Sequence, residues 1–246
     1  MFKGKLNPRL LWDLNFLQFL CNDLTIVITP EGFSMKMIDT ASTMVVQWKL
    51  SKWAIKDMTL DKPVQFVTIK ELLKFFELVY RFVEEPEITL EITDDKLTIE
   101  SNNQRKISMK IYSEDKTPTV ELKDIPNTGW VELNTNKFYE LVNDIKQVMS
   151  NTIELELVNK TLSIKNQKSE IFVPYESQTK IGRIMMLANG TIEKSTYDVS
   201  KILQVIVAIS EGVKISAGKF TPLTVEYNKE NVELKIVVSA VISDNM

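Results

Sequence analysis

Four times along the chain, a short strand-like run of mostly apolar residues leads directly into a helical pattern. The strand-like runs are Phe2 to Leu6, Val64 to Val67, Trp130 to Leu133 and Thr191 to Ser195. The helical patterns extend over about 8–21, 69–84, 136–149 and 198–209, with apolar residues at intervals of three and four. Their starts are 61, 67 and 62 positions apart, which indicates an internal repeat.

Each helical pattern is followed by several strand-like runs that are separated by turn residues. After the first helix, for example, Leu24 to Ile28 and Phe33 to Ile38 flank the turn Thr29-Pro30-Glu31-Gly32. Short consecutive strands of this kind pair antiparallel, and helices with one apolar face pack on such sheets. The pattern therefore predicts an α+β fold of two similar domains, each with two helices packed on antiparallel sheets.

The segment Ser113–Thr128 has the composition of a linker between the two halves. It carries two prolines and mixed charges, and it has no sustained apolar period. We therefore expect an N-terminal domain over residues 1–112, a connecting loop over 113–128 and a C-terminal domain over 129–246.

The second helical pattern has the clearest division into two faces. Its apolar positions form a stripe that we expect to pack on a sheet: Ile69, Leu72, Leu73, Phe76, Tyr80 and Val83. Thr68 and Glu71 have the spacing of a capping box at its start. The opposite face carries Lys70, Lys74, Arg81 and Glu77. This face fits either a solvated surface of mixed charge or a stripe that faces phosphates.

The other helical patterns are less basic. Lys137 lies on the polar face of the third pattern beside acidic residues, and Lys201 lies on the fourth. The first pattern is apolar almost all round, and its second apolar side carries Trp12, Phe16 and Phe19. We expect these aromatic residues to pack between domains or subunits, because nothing else in the sequence resembles a channel for single-stranded nucleic acid.

The composition argues against an enzyme. The chain has 246 residues, a formal charge of −3, no histidine and one cysteine, Cys21. It therefore lacks the commonest general base and metal ligand, and it has neither an internal disulfide nor a cysteine metal cluster. We expect Cys21 to be a buried apolar residue, and we expect no bound metal and no cofactor. The acidic pair Asp94-Asp95 lies in a turn and has no recognisable partner base.

The chain shows neither the pattern of a secretory signal nor an apolar run long enough to span a bilayer. We therefore expect an intracellular protein that does not associate with a membrane. A net-acidic chain meets nucleic acid only through a local basic patch, which predicts weak and salt-sensitive contact.

Three segments resemble the sliding clamps of the proliferating cell nuclear antigen (PCNA) family. The first is Glu31–Leu50, in which an apolar residue and Asp39 precede small residues and a strand. The second is Pro222–Tyr227, which reads Pro-Leu-Thr-Val-Glu-Tyr, and the third is Ile125-Pro126 at the end of the linker. The resemblance extends over essentially the full chain. It implies a sliding-clamp fold, in which three two-domain subunits form a ring around duplex DNA.

The resemblance also implies where DNA and neighbouring subunits are contacted. On such a ring, the basic residues of the helix faces and of the edge strand are expected to face the DNA: Lys70, Lys74, Arg81, Lys110, Lys137 and Lys201. Of these, Lys74 and Lys110 match basic positions of the family. Subunits would join through two edge strands, with contacts at Lys106, Ser108, Lys110, Tyr112, Glu170, Phe172 and Pro174. Glu140 and Asn143 stand where the family usually carries basic residues, so the second domain should contribute little to DNA contact.

A pocket for short peptides of polymerases, ligases or nucleases is implied under the connecting loop. Its residues would be Ile38, Leu122, Ile125, Pro126, Pro222, Val238 and Ser239. The C-terminal segment Val238–Ile242 lacks the proline that the family carries there, which is typical of a divergent clamp of archaeal or viral kind. A clamp-loader ATPase is a further implied partner, because a closed ring does not thread itself onto closed DNA.

Three functions stay open on these grounds. The leading one is a processivity clamp for a DNA polymerase, built as a homotrimer or as a heterotrimer with related clamp subunits. The second is a subunit of a damage-checkpoint ring. The third is a protein-interaction scaffold that keeps the fold without encircling DNA, and the acidic third helix motivates it.

Overall fold

The computed structural model describes most of the chain. The described residues are 1–103, 105–114, 117–118, 125–147, 151–159, 161–165, 170–174, 176–179, 182–185, 187–206 and 212–241. The chain divides into two compact units: unit 1 is residues 1–119 with 228–234, and unit 2 is residues 120–227 with 235–246. The division after residue 119 falls within the segment 113–128, and the domain limits given above stay a prediction.

Unit 1 contains two antiparallel sheets and two short α-helices. Its elements are β1 (Phe2–Leu6), α1 (Arg9–Trp12), a 3-10 helix (Asn15–Phe19), β2 (Leu24–Thr29), β3 (Gly32–Ile38), β4 (Met44–Ser51), a second 3-10 helix (Lys52–Ala54), β5 (Lys56–Leu60), β6 (Gln65–Ile69), α2 (Leu72–Tyr80), β7 (Ile88–Ile92), β8 (Lys96–Ser101) and β9 (Lys106–Lys110). One sheet has the order β5-β1-β7-β8-β9, and the other contains β4-β3-β2-β6 in that order. The tip 228–234 lies beside β4, since Ser51 N donates to the carbonyl of Asn231 over 2.8 Å.

Unit 2 repeats this layout of helices and antiparallel sheets. Its elements are β10 (Gly129–Asn134), α3 (Thr135–Gln147), β11 (Thr152–Val158), β12 (Thr161–Lys165), β13 (Glu170–Pro174), β14 (Glu176–Thr179), β15 (Gly182–Met185), β16 (Leu187–Gly190), β17 (Ile192–Asp198), α4 (Val199–Ile206), β18 (Gly212–Ala217), β19 (Leu223–Lys229) and β20 (Val232–Val238). The sheet orders are β13-β12-β11-β17 and β16-β10-β18-β19-β20, and β14 pairs with β15 in a separate hairpin. Helices α3 and α4 pack against each other.

The predicted repeat of a strand that leads directly into a helix is confirmed at all four places. The α-helices begin at residues 9, 72, 135 and 199, so their starts are 63, 63 and 64 residues apart. The unequal spacing predicted from the sequence was wrong, because α2 begins three residues later than its pattern. The predicted α+β fold with antiparallel sheets is confirmed.

The first predicted helix, over about 8–21, is broken in the structure. Pro8 lies at the start of α1, which ends at Trp12, and a 3-10 helix follows from Asn15. The side-chain amide of Asn15 donates to the carbonyl of Trp12 over 2.7 Å. A side chain that takes a helical carbonyl in this way competes with the backbone bond that would continue the helix.

The predicted capping box at Thr68 and Glu71 is wrong. Thr68 lies in β6, where its buried hydroxyl donates to the carbonyl of Glu114 (2.7 Å) and accepts from the hydroxyl of Thr25 (2.8 Å). Glu71 stands at the start of α2, and its side chain makes no capping bond. The hydroxyl of Thr68 therefore joins two strands and the start of the linker instead of capping a helix.

The apolar stripe predicted for α2 is only partly correct. The buried face consists of Leu72, Phe75, Phe76, Leu78 and Val79, whereas the side chains of Leu73 and Tyr80 are 61% and 59% exposed. Apolar residues occupy seven of the nine positions of α2, so their spacing fits more than one face. Packing on the sheet determines which face is buried, and it is the face that contains Phe75 and Val79.

The core of each unit lies between its helices and its sheets. In unit 1, Phe2, Trp48 and Phe82 are fully buried. In unit 2, the core includes Phe138 of α3 and Ile202 of α4. No helix within the described residues has the length and hydropathy needed to cross a bilayer.

The triple junction at Thr68 predicts a loss of stability when its hydroxyl is removed. Thr68→Val keeps the shape of the side chain but removes its hydroxyl. The hydroxyl of Thr25 then loses its acceptor, and the carbonyl of Glu114 loses one donor. We expect the free energy of unfolding in urea to fall by about 1–3 kcal/mol.

The matched control is Thr59→Val on the edge strand β5, where the exposed hydroxyl makes a long bond of 3.4 Å to the carbonyl of Lys3. This variant should lie within about 0.5 kcal/mol of the unaltered chain. An equal loss for both variants would contradict the role given to Thr68.

Candidate functional sites

Two of the three basic residues predicted for the α2 surface in unit 1 have acidic neighbours. Lys70 precedes the helix and lies 3.8 Å from the carboxylate of Glu114, and Lys74 lies 2.6 Å from that of Glu71. Arg81 follows the last turn and is exposed, and within the described residues it has no ion-pair partner. Exposed pairs of this kind are weak, so a polyanion can compete for these cations.

Lys70 and Lys110 meet on the ring of Tyr112. The ammonium groups lie 3.7 Å and 5.2 Å from the ring centroid. Tyr112 is held in place by a pair of backbone hydrogen bonds with Thr68, of 2.7 and 3.0 Å. The end of the predicted edge strand, next to the start of the linker, is thereby fixed to β6, the strand that leads into α2.

Large apolar side chains share the outer surface of the helices in unit 1. Tyr80 contacts the ring of Trp12, with centroids 4.9 Å apart, and Leu73 is exposed about two turns away on α2. Of the three aromatic residues predicted to form one apolar side of the first helix, Phe16 is buried, Trp12 is half-buried and Phe19 is 70% exposed. The three therefore do not act as a single surface.

In unit 2 the predicted basic positions lie on separate helices. Lys137 belongs to α3, and the placement of its side chain lies outside the described residues. Lys201 is half-buried in the first turn of α4, where the carboxylate of Asp198 accepts from the backbone N–H of Ser200 over 2.8 Å. Glu140 and Asp144 are exposed on α3.

The two strands predicted to join subunits lie at sheet edges. Within the described residues, β9 pairs with β8 alone and β13 pairs with β12 alone. On β9 the side chains of Lys106, Ser108 and Lys110 are exposed. The backbone of Glu170, Phe172 and Pro174 forms β13. An edge strand presents unpaired N–H and C=O groups, which can pair with a further strand.

The predicted peptide site falls partly within unit 2. Pro126 and Ser239 are exposed, Ile125 and Pro222 are half-buried, and Val238 is buried. Ile38 ends β3 and belongs to unit 1, and Leu122 lies outside the described residues.

A turn at residues 218–222 brings several parts of the unit 2 site together. The backbones of Gly218 and Pro126 approach so closely that a Cβ at position 218 would lie 2.6 Å from the carbonyl oxygen of Pro126. Nearby, the side chain of Asn127 donates to the hydroxyl of Ser216 over 3.0 Å. The C-terminal segment lies beside β17, since Val241 N donates to the carbonyl of Thr196 over 2.8 Å.

A buried polar network of β17 holds this turn. Ser195 Oγ accepts from the N–H of Phe220 over 3.1 Å, and the phenol of Tyr197 donates to the carbonyl of Thr221 over 3.0 Å. Burial raises the pKa of Tyr197 above its usual value, so the phenol stays a donor at neutral pH. Gly218 N also donates to the hydroxyl of Thr221 over 2.7 Å.

The single cysteine is poorly suited to act as a nucleophile. Burial, and to a smaller degree the carboxylate of Asp23, raises the pKa of Cys21 to about 12. Its thiol is therefore protonated at neutral pH. Among the described residues, no group of three or more cysteine or carboxylate side chains is placed to hold a metal ion.

Two features of these sites escaped the sequence analysis. Glu114 was assigned to the linker, yet it lies beside Lys70. Phe220 is 67% exposed in the turn before Pro222. Turns between strands usually carry Gly, Pro, Asn, Asp or Ser, so an aromatic residue between Lys219 and Thr221 was the feature of the sequence that could have indicated an unusual turn.

No family model matches the sequence, and no curated protein matches it either. Solved structures do match the fold over the whole chain. The PCNA of Thermococcus kodakaraensis superposes with a TM-score of 0.85 at 16% sequence identity, covering 98% of this chain and 100% of that one. The PCNA of A. fulgidus, solved with the C-terminal region of FEN-1 bound to it, gives a TM-score of 0.83 at 12% identity, with 100% of both chains covered. The chain therefore has the sliding-clamp fold of the PCNA structures along its full length.

Proposed function

We propose that the chain is a subunit of a DNA sliding clamp and serves as a processivity factor in replication and repair. The observation that carries this proposal is the match of the whole chain to two PCNA structures. Three subunits would form a ring around duplex DNA, alone or with related clamp chains. The ring would tether polymerases, ligases and nucleases through short peptides, and a clamp-loader ATPase would open it. Such a role requires a location with the DNA inside the cell.

The edge strands support assembly of subunits. A head-to-tail contact between two different surfaces closes into a ring when the rotation between subunits fits. Strands β9 and β13 supply two such surfaces, because each presents backbone groups at a sheet edge. Lys106 and Lys110 of β9 and Glu170 of β13 carry opposite charges, which would add attraction between subunits to the main-chain bonds.

The charge of the helical surface supports loose contact with DNA. A ring that encloses DNA holds it by topology, so its contacts need to be weak enough for sliding. Lys70, Lys74 and Arg81 are exposed cations, and two of them are partly compensated by nearby carboxylates. Weak, salt-sensitive attraction of phosphates is the expected result.

A second candidate function is a scaffold that keeps the clamp fold and binds proteins without encircling DNA. The observation that favours it is the outer surface of α2, where the exposed Leu73 and Tyr80 lie among paired charges. Exposed apolar side chains of this size are more typical of protein contact than of a surface that faces phosphates.

The assembly proposal predicts the mass of the purified chain. Light scattering in moderate salt should give about three times the subunit mass of 28.3 kDa if the chain closes a ring alone. Reversing two charges, Lys106→Glu with Lys110→Glu, should raise the dissociation constant of the assembly several-fold, since each exposed pair contributes about 0.2–1 kcal/mol.

The matched control reverses the charges of Lys49 on β4, which belongs to the other sheet, and of Lys56 on β5, which forms the opposite edge of the sheet that contains β9. It changes the net charge equally and should leave the mass unchanged. A constant mass of one subunit, in all variants and at all concentrations, would show that the ring needs other chains or does not form.

The DNA proposal predicts binding that depends on free DNA ends. A ring can thread over the end of a linear duplex, so binding should be lost when biotin and streptavidin block both ends. Lys70→Ala, Lys74→Ala and Arg81→Ala together should weaken binding to the free-ended duplex. They should also make the plot of log K against log salt concentration less steep, by up to about 0.9 for each lost phosphate contact.

The control variant replaces three exposed lysines elsewhere in unit 1 with alanine: Lys49, Lys56 and Lys62. It removes the same charge and should keep most of the salt slope. If blocked and free ends bind equally, the ring does not encircle the duplex, and the scaffold becomes the better explanation.

The peptide-site proposal predicts that the end of the connecting loop is needed for partner binding. Ile125→Ser with Pro126→Ser should weaken binding of a peptide from the FEN-1 C-terminal region by about tenfold, because the apolar contact is lost. Isothermal titration calorimetry would measure it, with Pro63→Ser and Val64→Ser, two exposed loop residues, as the matched control. Undiminished binding by the first variant would move the peptide site elsewhere.

A further inference from the structure

The ring of Tyr112 is contacted by two cations at once. The ammonium of Lys70, two residues before α2, lies 3.7 Å from the ring centroid, and that of Lys110, the last residue of β9, lies 5.2 Å from it. Each of the other described rings in such a contact has a single cation. An aromatic face attracts a cation through its quadrupole. The ring therefore gathers positive charge from two separate elements of unit 1.

The two gathered cations repel each other. Because both lie close to one centroid, they are less than about 10 Å apart, which is the Debye length in ~0.1 M salt. Both lysine side chains are exposed, and contacts of exposed cations with a ring are at the weak end of the range for this interaction. The arrangement therefore adds little to the stability of unit 1, and it presents two positive charges together to an approaching anion.

The backbone of Tyr112 is fixed to a buried residue. Its N–H and its carbonyl form hydrogen bonds of 3.0 and 2.7 Å with Thr68, which is fully buried in β6. A lysine side chain has many rotamers, and ordering it on binding costs free energy. A fixed ring that already restricts the two ammonium groups lowers this cost.

The acidic neighbour of the two lysines is Glu114. Its carboxylate lies 3.8 Å from the ammonium of Lys70. The hydroxyl of Thr68 donates to its main-chain carbonyl over 2.7 Å, which keeps the residue beside Lys70. An exposed ion pair of this length is weak, so a phosphate can displace the carboxylate. Glu114 therefore lowers the affinity for a polyanion without abolishing it.

We propose that Tyr112 is a positioning residue for contact with the DNA backbone: its ring holds Lys70 and Lys110 ready to bind phosphates, while Glu114 competes for Lys70. This inference rests on the proposed function as a DNA clamp. Tyr112 acts through the two lysines and makes no contact of its own with the nucleic acid. The ligand is the phosphate backbone of duplex DNA, so the contact carries no base sequence information.

The test begins with two substitutions of Tyr112. Binding to the free-ended linear duplex is measured by fluorescence anisotropy at several salt concentrations. Tyr112→Leu should lower the affinity about threefold, because the aromatic face is lost, whereas Tyr112→Phe keeps the face and should bind like the unaltered chain. The plot of log K against log salt concentration should keep its slope in both variants, since both lysine charges remain.

Removing the two lysines shows whether Tyr112 acts through them. In a chain that already carries Lys70→Ala and Lys110→Ala, Tyr112→Leu should have no further effect on the affinity. An equal loss with and without the lysines overturns the positioning role, and so does a loss for Tyr112→Phe as large as that for Tyr112→Leu.

Assembly is measured separately, because Lys110 and Tyr112 are also predicted to lie at the contact between subunits. Light scattering should give Tyr112→Leu the mass of the unaltered chain. A lower mass would assign the loss of affinity to assembly and overturn the positioning role. The matched control is Trp53→Leu, which removes an exposed ring from a contact with Lys52 and should leave DNA binding unchanged.

The competition by Glu114 has its own measurement. Glu114→Gln removes the charge and keeps the carbonyl that Thr68 binds, so the affinity for the duplex should rise about twofold. The control Glu233→Gln removes the same charge from an exposed pair with Lys49 and should leave the affinity unchanged. An equal effect of the two variants contradicts the competition. If the unaltered chain binds no duplex at any salt concentration, the proposed DNA function itself fails, and this inference fails with it.

Discussion

The packing of short helices on antiparallel sheets is the interaction on which both units depend. The described α-helices have between 4 and 13 residues, and helices of this length are not stable alone in water. Their stability comes from the apolar face that each one buries, such as Phe75 and Val79 of α2 or Phe138 and Val142 of α3. Each strand that leads directly into a helix sets where that face begins, and the regular interval of 63 or 64 residues repeats this arrangement.

The same packing determines what is left for function. Once the helices bury one face, their other face and the outer strands of the sheets remain exposed. In unit 1 this surface carries cations that are partly paired, and in unit 2 it exposes Glu140 and Asp144. Contacts made by exposed surfaces of this kind are individually weak.

The pattern of apolar positions was sufficient to predict the α+β class and the four strand-to-helix junctions, because burial imposes a period of two on strands and about 3.6 on helices. It was insufficient for the face of α2, since seven of nine residues there are apolar. The resemblance in three short segments predicted the clamp fold correctly, although the identity to the matching structures is as low as 12%. The individual DNA, peptide and interface residues stay predictions.

The sequence by itself determined the repeat and the antiparallel strands, because both depend on residues that are near each other along the chain. Its composition, which includes no histidine, determined that no imidazole is available as a base or a metal ligand. Contacts between distant residues were fixed by folding alone. The hydroxyl of Thr68 connects β6 to Thr25 of β2 and to Glu114. The ammonium groups of Lys70 and Lys110 lie over the ring of Tyr112, and Ser195 binds the backbone N–H of Phe220. No local pattern encodes such contacts, because the sheets bring together residues that are 25 to 46 positions apart.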